Sequence, residues 1–213
     1  MAEYRVLSTK QLAVLTQKPI RTIRRQIERL LLGEFVECIK RKNYGQTGRP
    51  ESTYTLKAKG IQMLRAQGML EQGIPNARIL WKSRQCLEHQ LSVNWILIAA
   101  LNIQRHTQLK VHCLSHISPF LLTSNNGVPF IQDSVCINTN SGEHATFIPD
   151  AVITISDSAK TLLFFLEMDR STETLTSLEG RPAAMNYKFY RYRQYLETEG
   201  YRRYQDYFQC SLT

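Results

Sequence analysis

Residues 20–32, Ile-Arg-Thr-Ile-Arg-Arg-Gln-Ile-Glu-Arg-Leu-Leu-Leu, restrict the fold more than any other stretch of this chain. Ile20, Ile23, Ile27, Leu30 and Leu31 recur at helical spacing, which predicts a helix with one buried apolar stripe. Arg21, Thr22, Arg24, Arg25, Glu28 and Arg29 fall elsewhere on its circumference. Four arginines and a threonine on an outer face suit a helix that enters the major groove of duplex DNA. Arginine is the apt residue because its planar fork grips guanine edges or phosphates with two bonds. The competing reading is a solvated basic face on a structural helix.

The flanks favour the groove. Ser8 to Thr16 reads as a shorter helix, with Ser8 as N-cap, Gln11 completing a capping box, and Leu12 and Leu15 facing inward. Gln17-Lys18-Pro19 breaks it, and Pro19 suits the first turn of the second helix. Gly33 is placed to stop that helix as a C′ glycine. Phe35 to Lys40 then alternates like a strand, a Gly-rich basic loop runs from Arg41 to Pro50, and Ser52 to Leu56 closes a hairpin. The tip carries Lys40, Arg41, Lys42 and Arg49. Lys57 opens a further helix. With L-S-T-K-Q-L-A at 7–13, the arginine helix, and G-R-P-E-S-T-Y-T-L-K-A-K-G at 48–60, the segment resembles the winged-helix transcription regulators. The resemblance implies duplex binding through Arg21, Thr22, Arg24, Arg25 and Arg29, with Lys40, Arg41, Lys42 and Arg49 on a neighbouring phosphate or minor groove.

Charge is concentrated in the same third of the chain. Residues 1–72 hold 14 Lys/Arg against 6 Asp/Glu, whereas residues 73–213 hold 13 against 12. A basic module joined to a nearly neutral one fits a phosphate-binding head. No apolar run is long enough to span a bilayer. The N-terminus lacks the layout of a signal peptide, so a cytoplasmic protein without membrane contact is expected. Cys38, Cys86, Cys113, Cys136 and Cys210 are odd in number and scattered, which argues against disulfides and a cysteine-rich zinc site.

Gly68 to Asn76, with two glycines and a proline, marks a boundary between a domain at 1–72 and another at 78–213. In the second, residues 84–104 read as one helix, apolar from Trp95 to Leu101 and so expected to lie against a sheet. Thr146–Ile155 and Thr161–Asp169 read as strands joined by a hairpin turn, and a Tyr-rich helix follows from Ala183 to about Tyr195. Asp150 lies near the start of one strand, while Glu167 and Asp169 lie two apart near the end of the next, on a shared face. Three carboxylates brought together would repel unless a hard cation, Mg²⁺ or Mn²⁺, joined them. Solvated acids at strand ends are the plainer alternative. His112, Cys113 and His116 have poor spacing for zinc and lack a fourth ligand. The tyrosines from Tyr187 to Tyr207 suit packing or an interface better than catalysis.

The order of helix, P-D strand, E-x-x strand and helix over residues 84–195 resembles the PD-(D/E)XK nucleases. That resemblance implies Asp150 and Glu167 as metal ligands, with Glu88 as a further one. The catalytic lysine's position holds Asp169 instead, and Lys188 on the following helix is the candidate ammonium. H-Q-L-S-V-N at 89–94, P-D-A at 149–151, F-F-L-E-M-D-R-S-T at 164–172 and K-F-Y-R-Y at 188–192 behind a winged helix resemble the replication-relaxation family of plasmids and integrative elements. A nuclease-like fold normally continues with another strand and helix past Thr213, so either an abbreviated ending or a shortened protein is expected.

The fold expected is therefore α/β (α+β), a winged helix-turn-helix followed by a PD-(D/E)XK-like mixed sheet flanked by helices. Two functions stay open. The preferred one is a non-catalytic double-stranded DNA-binding protein of a mobile element, a homodimer working with other element proteins and needing no cofactor to bind. The other is a Mg²⁺- or Mn²⁺-dependent endonuclease using Asp150, Glu167, Asp169 and Lys188.

Overall fold

The computed structural model describes residues 1–40, 51–83, 86–121, 130–138, 142–169 and 185–211. The chain is α/β and divides into two compact units, residues 1–102 with 117–121, and residues 103–116 with 122–213.

In the first unit, α1 (Thr9–Thr16) starts at the predicted cap. Ser8 Oγ accepts from the Gln11 N–H at 3.2 Å while Gln11 Oε1 accepts from the Ser8 N–H at 2.9 Å. This reciprocal pair satisfies donors that a helix start otherwise leaves open. Pro19 is the N-cap of α2 (Ile20–Leu32) rather than a member of its first turn. The end of α2 also differs from expectation. Gly33 has an ordinary right-handed φ of −76°, and Glu34 takes the left-handed position at φ 59°. The Phe35 N–H reaches back to the Leu30 carbonyl at 2.9 Å and the Glu34 N–H to Leu31 at 3.0 Å, the paired bonds of a Schellman ending. A Cβ at 33 would meet the Phe35 ring at 2.5 Å, so a larger residue there would require that ring to turn aside.

A strand that the periodicity did not predict, β1 (Val6–Ser8), joins β2 (Val36–Ile39) and β3 (Thr53–Leu56) in an antiparallel sheet of order β1-β3-β2. Leu7 and Cys38 both face Tyr54 across it. Three residues are too few to show alternation, so β1 had no sequence signature. Helix α3 (Ala58–Ala66) then passes close to the chain at Phe35. The segment read as a boundary packs here as well: Leu70, Ile74 and, from α4 (Asn76–Ile79), Ile79 are buried with Val36, Leu56 and Ile61. Arg65 ties it down through Asn76 Oδ1 at 2.8 Å and the Ile74 carbonyl.

The helix α5 (Leu87–His106) begins in this unit, with Leu87 and Leu91 against Val6. Its most deeply buried residues include two polar ones, Gln90 and Asn94. Asn94 Nδ2 donates to the Val6 carbonyl, and Gln90 Nε2 donates to Asn94 Oδ1 at 2.8 Å. Gln11, fully buried on α1, donates to the Leu91 carbonyl at 2.7 Å. Trp95, read as inward, is 38% exposed because Asn94 occupies the inward direction.

In the second unit, β4 (Lys110–Ser115), β7 (Ala151–Ser156) and β8 (Thr161–Leu166) form a sheet of order β4-β7-β8, and β5 (Asp133–Asn138) pairs with β6 (Glu143–Phe147). Every pairing among the described residues is antiparallel, where a mixed sheet was expected. The predicted strand at 146–155 is two strands in different sheets. They part at Ile148–Asp150, where buried Pro149 can donate no ladder hydrogen bond. The β7–β8 turn is held by Asp157 Oδ1, which accepts from the Ala159 and Lys160 N–H groups at 2.7 and 2.8 Å.

Helix α6 (Met185–Glu197), a 3₁₀ turn at 200–202 and α7 (Arg203–Phe208) supply the tyrosines of an aromatic core. The Phe165 ring lies 5.6, 5.7 and 5.6 Å from those of Tyr192, Tyr195 and Tyr204. The rings of Tyr192, Tyr195 and Tyr204 thus serve packing. Beneath them Asp133, 5% exposed, is bound by Arg203 at 2.7 Å and by the Tyr204 hydroxyl at 3.0 Å.

Candidate functional site

Two surfaces, one in each unit, carry the candidate residues. On α2, Ile23 and Ile27 are buried at 3% and 4% exposure and fix which side of the helix faces inward. Ile20 and Leu30, at the margins of the stripe, are partly open. Arg21, Arg24, Arg25 and Arg29 are exposed as a consequence, and Thr22 is half-buried. Among the described residues none of the four arginine side chains takes an ion-pair or hydrogen-bond partner. Arg21, Thr22, Arg24 and Arg25 line a shallow depression together with Glu28. Lys40 is exposed, while Arg41, Lys42 and Arg49 lie outside the described residues.

The second surface is built at the mouth of the β7–β8 hairpin. The Asp150 N–H donates to the Leu166 carbonyl at 2.9 Å, which continues the Ala151–Leu166 register and sets Asp150 beside Glu167. Asp150 Oδ2 accepts from the Met168 N–H at 2.8 Å. His116, just past β4, comes within 3.9 Å of Asp150 Oδ1, and its Nδ1 lies 3.1 Å from the Asp150 carbonyl. From α6, the Tyr192 hydroxyl donates to Glu167 Oε1 at 2.5 Å, and Lys188 Nζ lies 3.6 Å from Glu167 Oε2. Lys188 and Tyr192 are four apart, so one helical face presents both to the same carboxylate.

Burial pushes the Glu167 carboxyl above its ordinary range, opposed by the Tyr192 hydroxyl and Lys188 and reinforced by the neighbouring Asp150 charge. Burial, then the Glu167 carboxylate, pushes the Tyr192 phenol upward too, so it remains a hydrogen-bond donor. A half-buried acid held near a second acid, a phenol and an ammonium is an arrangement that perturbs titration, as functional sites do.

The expected trio is not gathered as predicted. Strand β8 ends at Leu166, so the two-residue alternation does not carry through Asp169, which is exposed. Glu88 lies in the first turn of α5, in the first unit. Among the described residues no three His, Cys, Asp or Glu side chains are grouped as metal ligands. The His112 ring packs against Phe208 at 5.8 Å, and none of the five cysteines is joined in a disulfide among the described residues. Two members of the second surface, Tyr192 and His116, were not singled out by sequence for this site. The spacing of Tyr192 from Lys188 was the available signal for the first, and nothing local marked the second.

No helix among the described residues is long and apolar enough to cross a membrane. No curated protein and no solved structure matches the chain. The profile of the replication-relaxation family matches residues 1–209, taking in the arginine helix, the Asp150–Glu167 hairpin and the tyrosine helices. The chain belongs to the replication-relaxation family and so has a role in plasmid or mobile-element replication or relaxation.

Proposed function

We propose that the first unit is a winged helix-turn-helix and that the chain acts on its element by binding double-stranded DNA, in replication, relaxation, mobilisation or transcriptional regulation. The observation that carries this is the set of four exposed arginines on α2 that take no ion-pair or hydrogen-bond partner among the described residues. Helix α1, the tight turn at Gln17–Pro19 and α2 form the pair, the β2–β3 strands are the base of the wing, and α3 closes the core. Unpaired guanidinium groups repel one another at short range and are weakly hydrated, so a phosphate backbone neutralises them at little desolvation cost. Affinity for a 20–30 base-pair duplex, measured by fluorescence anisotropy, is expected to fall by roughly 100-fold between 50 and 200 mM salt if about four phosphates are contacted. Arg21→Glu with Arg25→Glu is expected to lower affinity more than about tenfold and flatten that dependence. Salt-independent binding, or full affinity in the double variant, would overturn the reading.

A second reading rests on the Asp150–Glu167 pair. Two adjacent carboxylates fit Mg²⁺ or Mn²⁺, ions that take one or two protein carboxylates and complete their shells with water and phosphate oxygens. Asp150 and Glu167 would hold the ion, which supplies water activation and charge neutralisation at a phosphodiester. Lys188 and Tyr192 hold Glu167 in place, and Lys188 stands where an ammonium can offset negative charge. Incubation of supercoiled plasmid with each metal tests this. Nicking by the wild-type protein that Asp150→Ala and Glu167→Ala both abolish supports the endonuclease, while intact plasmid in every lane rules it out.

A further inference from the structure

We infer that Glu28 reads a base: its carboxylate accepts a hydrogen bond from the exocyclic amine of a cytosine in the major groove and sets the sequence preference of α2. This rests on the duplex-binding reading of the first unit.

An acid is the last residue expected on a surface meant for phosphates, yet Glu28 sits among the arginines. It lines the same depression as Arg21, Thr22, Arg24 and Arg25. At about 100° per residue it falls within roughly 60° of Arg21, Arg24 and Arg25 around the helix. Two ordinary uses of a helical acid do not account for it. It lies in the third turn, away from the positive helix end, where an acid is favoured. Arg24 is four residues before it, the spacing of a helical ion pair, but among the described residues neither side chain takes an ion-pair or hydrogen-bond partner.

What is left is its chemistry toward DNA. An ionised carboxylate offers acceptors and no donor, so phosphates, guanine N7 and O6, and thymine O4 all repel it. Only the amines of adenine and cytosine donate into the major groove. Adenine sets the N7 acceptor beside its amine, within reach of the second carboxylate oxygen. Cytosine has no such acceptor on its own major-groove edge and therefore fits best. The neighbouring arginines suit guanines in turn. A carboxylate so placed lowers affinity for DNA in general and returns the loss only at sites with cytosine at one position, which is how discrimination arises from repulsion.

The test is selection of bound duplexes from a randomised pool by the full chain, run with wild type, Glu28→Ala and Glu28→Gln. Glu28 is exposed and takes no partner among the described residues, so the variants are expected to melt at the wild-type temperature. Wild type is expected to enrich sites with one invariant C·G pair, preferred by roughly 10- to 100-fold. Glu28→Ala is expected to lose preference at that pair alone while binding random duplex as tightly or more tightly. Glu28→Gln is expected to turn the preference toward adenine, whose amine and N7 suit an amide. A motif unchanged in both variants overturns the inference, even if their affinity rises uniformly. So does duplex binding by wild type that enriches no motif, and in both cases the winged-helix reading survives. Wild type that fails to bind duplex at all overturns that reading and the inference with it.

Discussion

Asn94 Nδ2 donates to the main-chain carbonyl of Val6 at 2.6 Å, and a second contact reaches the Tyr4 carbonyl at 3.3 Å. Val6 belongs to β1, at the open edge of the sheet, so the amide takes the place that a further strand would fill. Asn94→Leu is expected to cost about 2–3 kcal/mol, because it strands buried carbonyls and the Gln90 amide. Asn94→Asp should cost more, since an ionised oxygen would face those carbonyls. Urea unfolding of the three proteins checks the order, and a Leu variant as stable as wild type would contradict it.

Gly60 lies where α3 passes the Phe35 carbonyl, and a Cβ there would stand 2.2 Å from that oxygen. The contact is with backbone that already accepts from the Lys57 N–H at 2.9 Å, so it cannot swing aside. Gly60→Ala is expected to destabilise by at least about 3 kcal/mol, the upper end for overpacking. Gly68 has open space around its Cβ direction but a left-handed φ of 68°. Gly68→Ala should therefore cost only about 1 kcal/mol. Thermal melts of both variants give the comparison.

Arg203→Ala would leave the nearly buried Asp133 carboxylate without its cation, a change that costs about 3–5 kcal/mol when a buried pair is broken from one side. Burial already pushes Asp133 above the usual carboxylate range, against the pull of Arg203, Tyr204 and Tyr195. A raised folded-state value means that the acid's contribution is present at low pH and is lost as pH rises through that value. The gap between wild type and Arg203→Ala should accordingly be widest near pH 8, narrow as pH falls through the raised value, and be smallest by about pH 4. Chemical unfolding across that range measures it.

The same sign applies to Glu167. Its carboxyl is raised chiefly by burial, so ionising it at neutral pH works against the folded state. Glu167→Gln is expected to unfold at higher urea than wild type at pH 8, with the advantage disappearing below about pH 4, where both side chains are neutral. An equal advantage at both pH values would show that charge is not the cause. A destabilised variant at pH 8 would show that the Lys188 and Tyr192 contacts outweigh burial.

Lys188 and Tyr192 hold Glu167 from one face of α6, so their removal should separate their parts. Tyr192→Phe deletes only the hydroxyl and is expected to cost about 1–2 kcal/mol for the lost bond to a charged acceptor. Lys188→Met removes a partly exposed ion pair and should cost no more than about 1 kcal/mol. Melting curves distinguish them.

Much of the first surface was legible in the chain. The Ile20–Leu32 bounds, the Ser8–Gln11 box and the outward arginines follow from contacts between residues at most four apart, and helical period reports such contacts directly. The antiparallel strands around Ser156–Lys160 were legible because two apolar runs are joined by a turn short enough for a hairpin. Gly33 was misread because Glu34, not the glycine, takes the left-handed position that ends the helix, and Trp95 because hydropathy cannot foresee that a polar neighbour will be the buried one. Asp169 was misplaced by carrying strand alternation three residues too far.

What the sequence by itself determined is local: which segments coil, which alternate, and where cations must lie once an apolar stripe turns inward. Only the tertiary structure decided that Asn94 closes the edge of β1, that Glu167 is gripped by Lys188 and Tyr192, and that His116 reaches Asp150. Those partners lie 88, 25 and 34 residues apart for Asn94–Val6, Tyr192–Glu167 and His116–Asp150. No periodicity spans such separations. They arise when buried polar atoms must find whichever partner the packed chain places within about 3 Å.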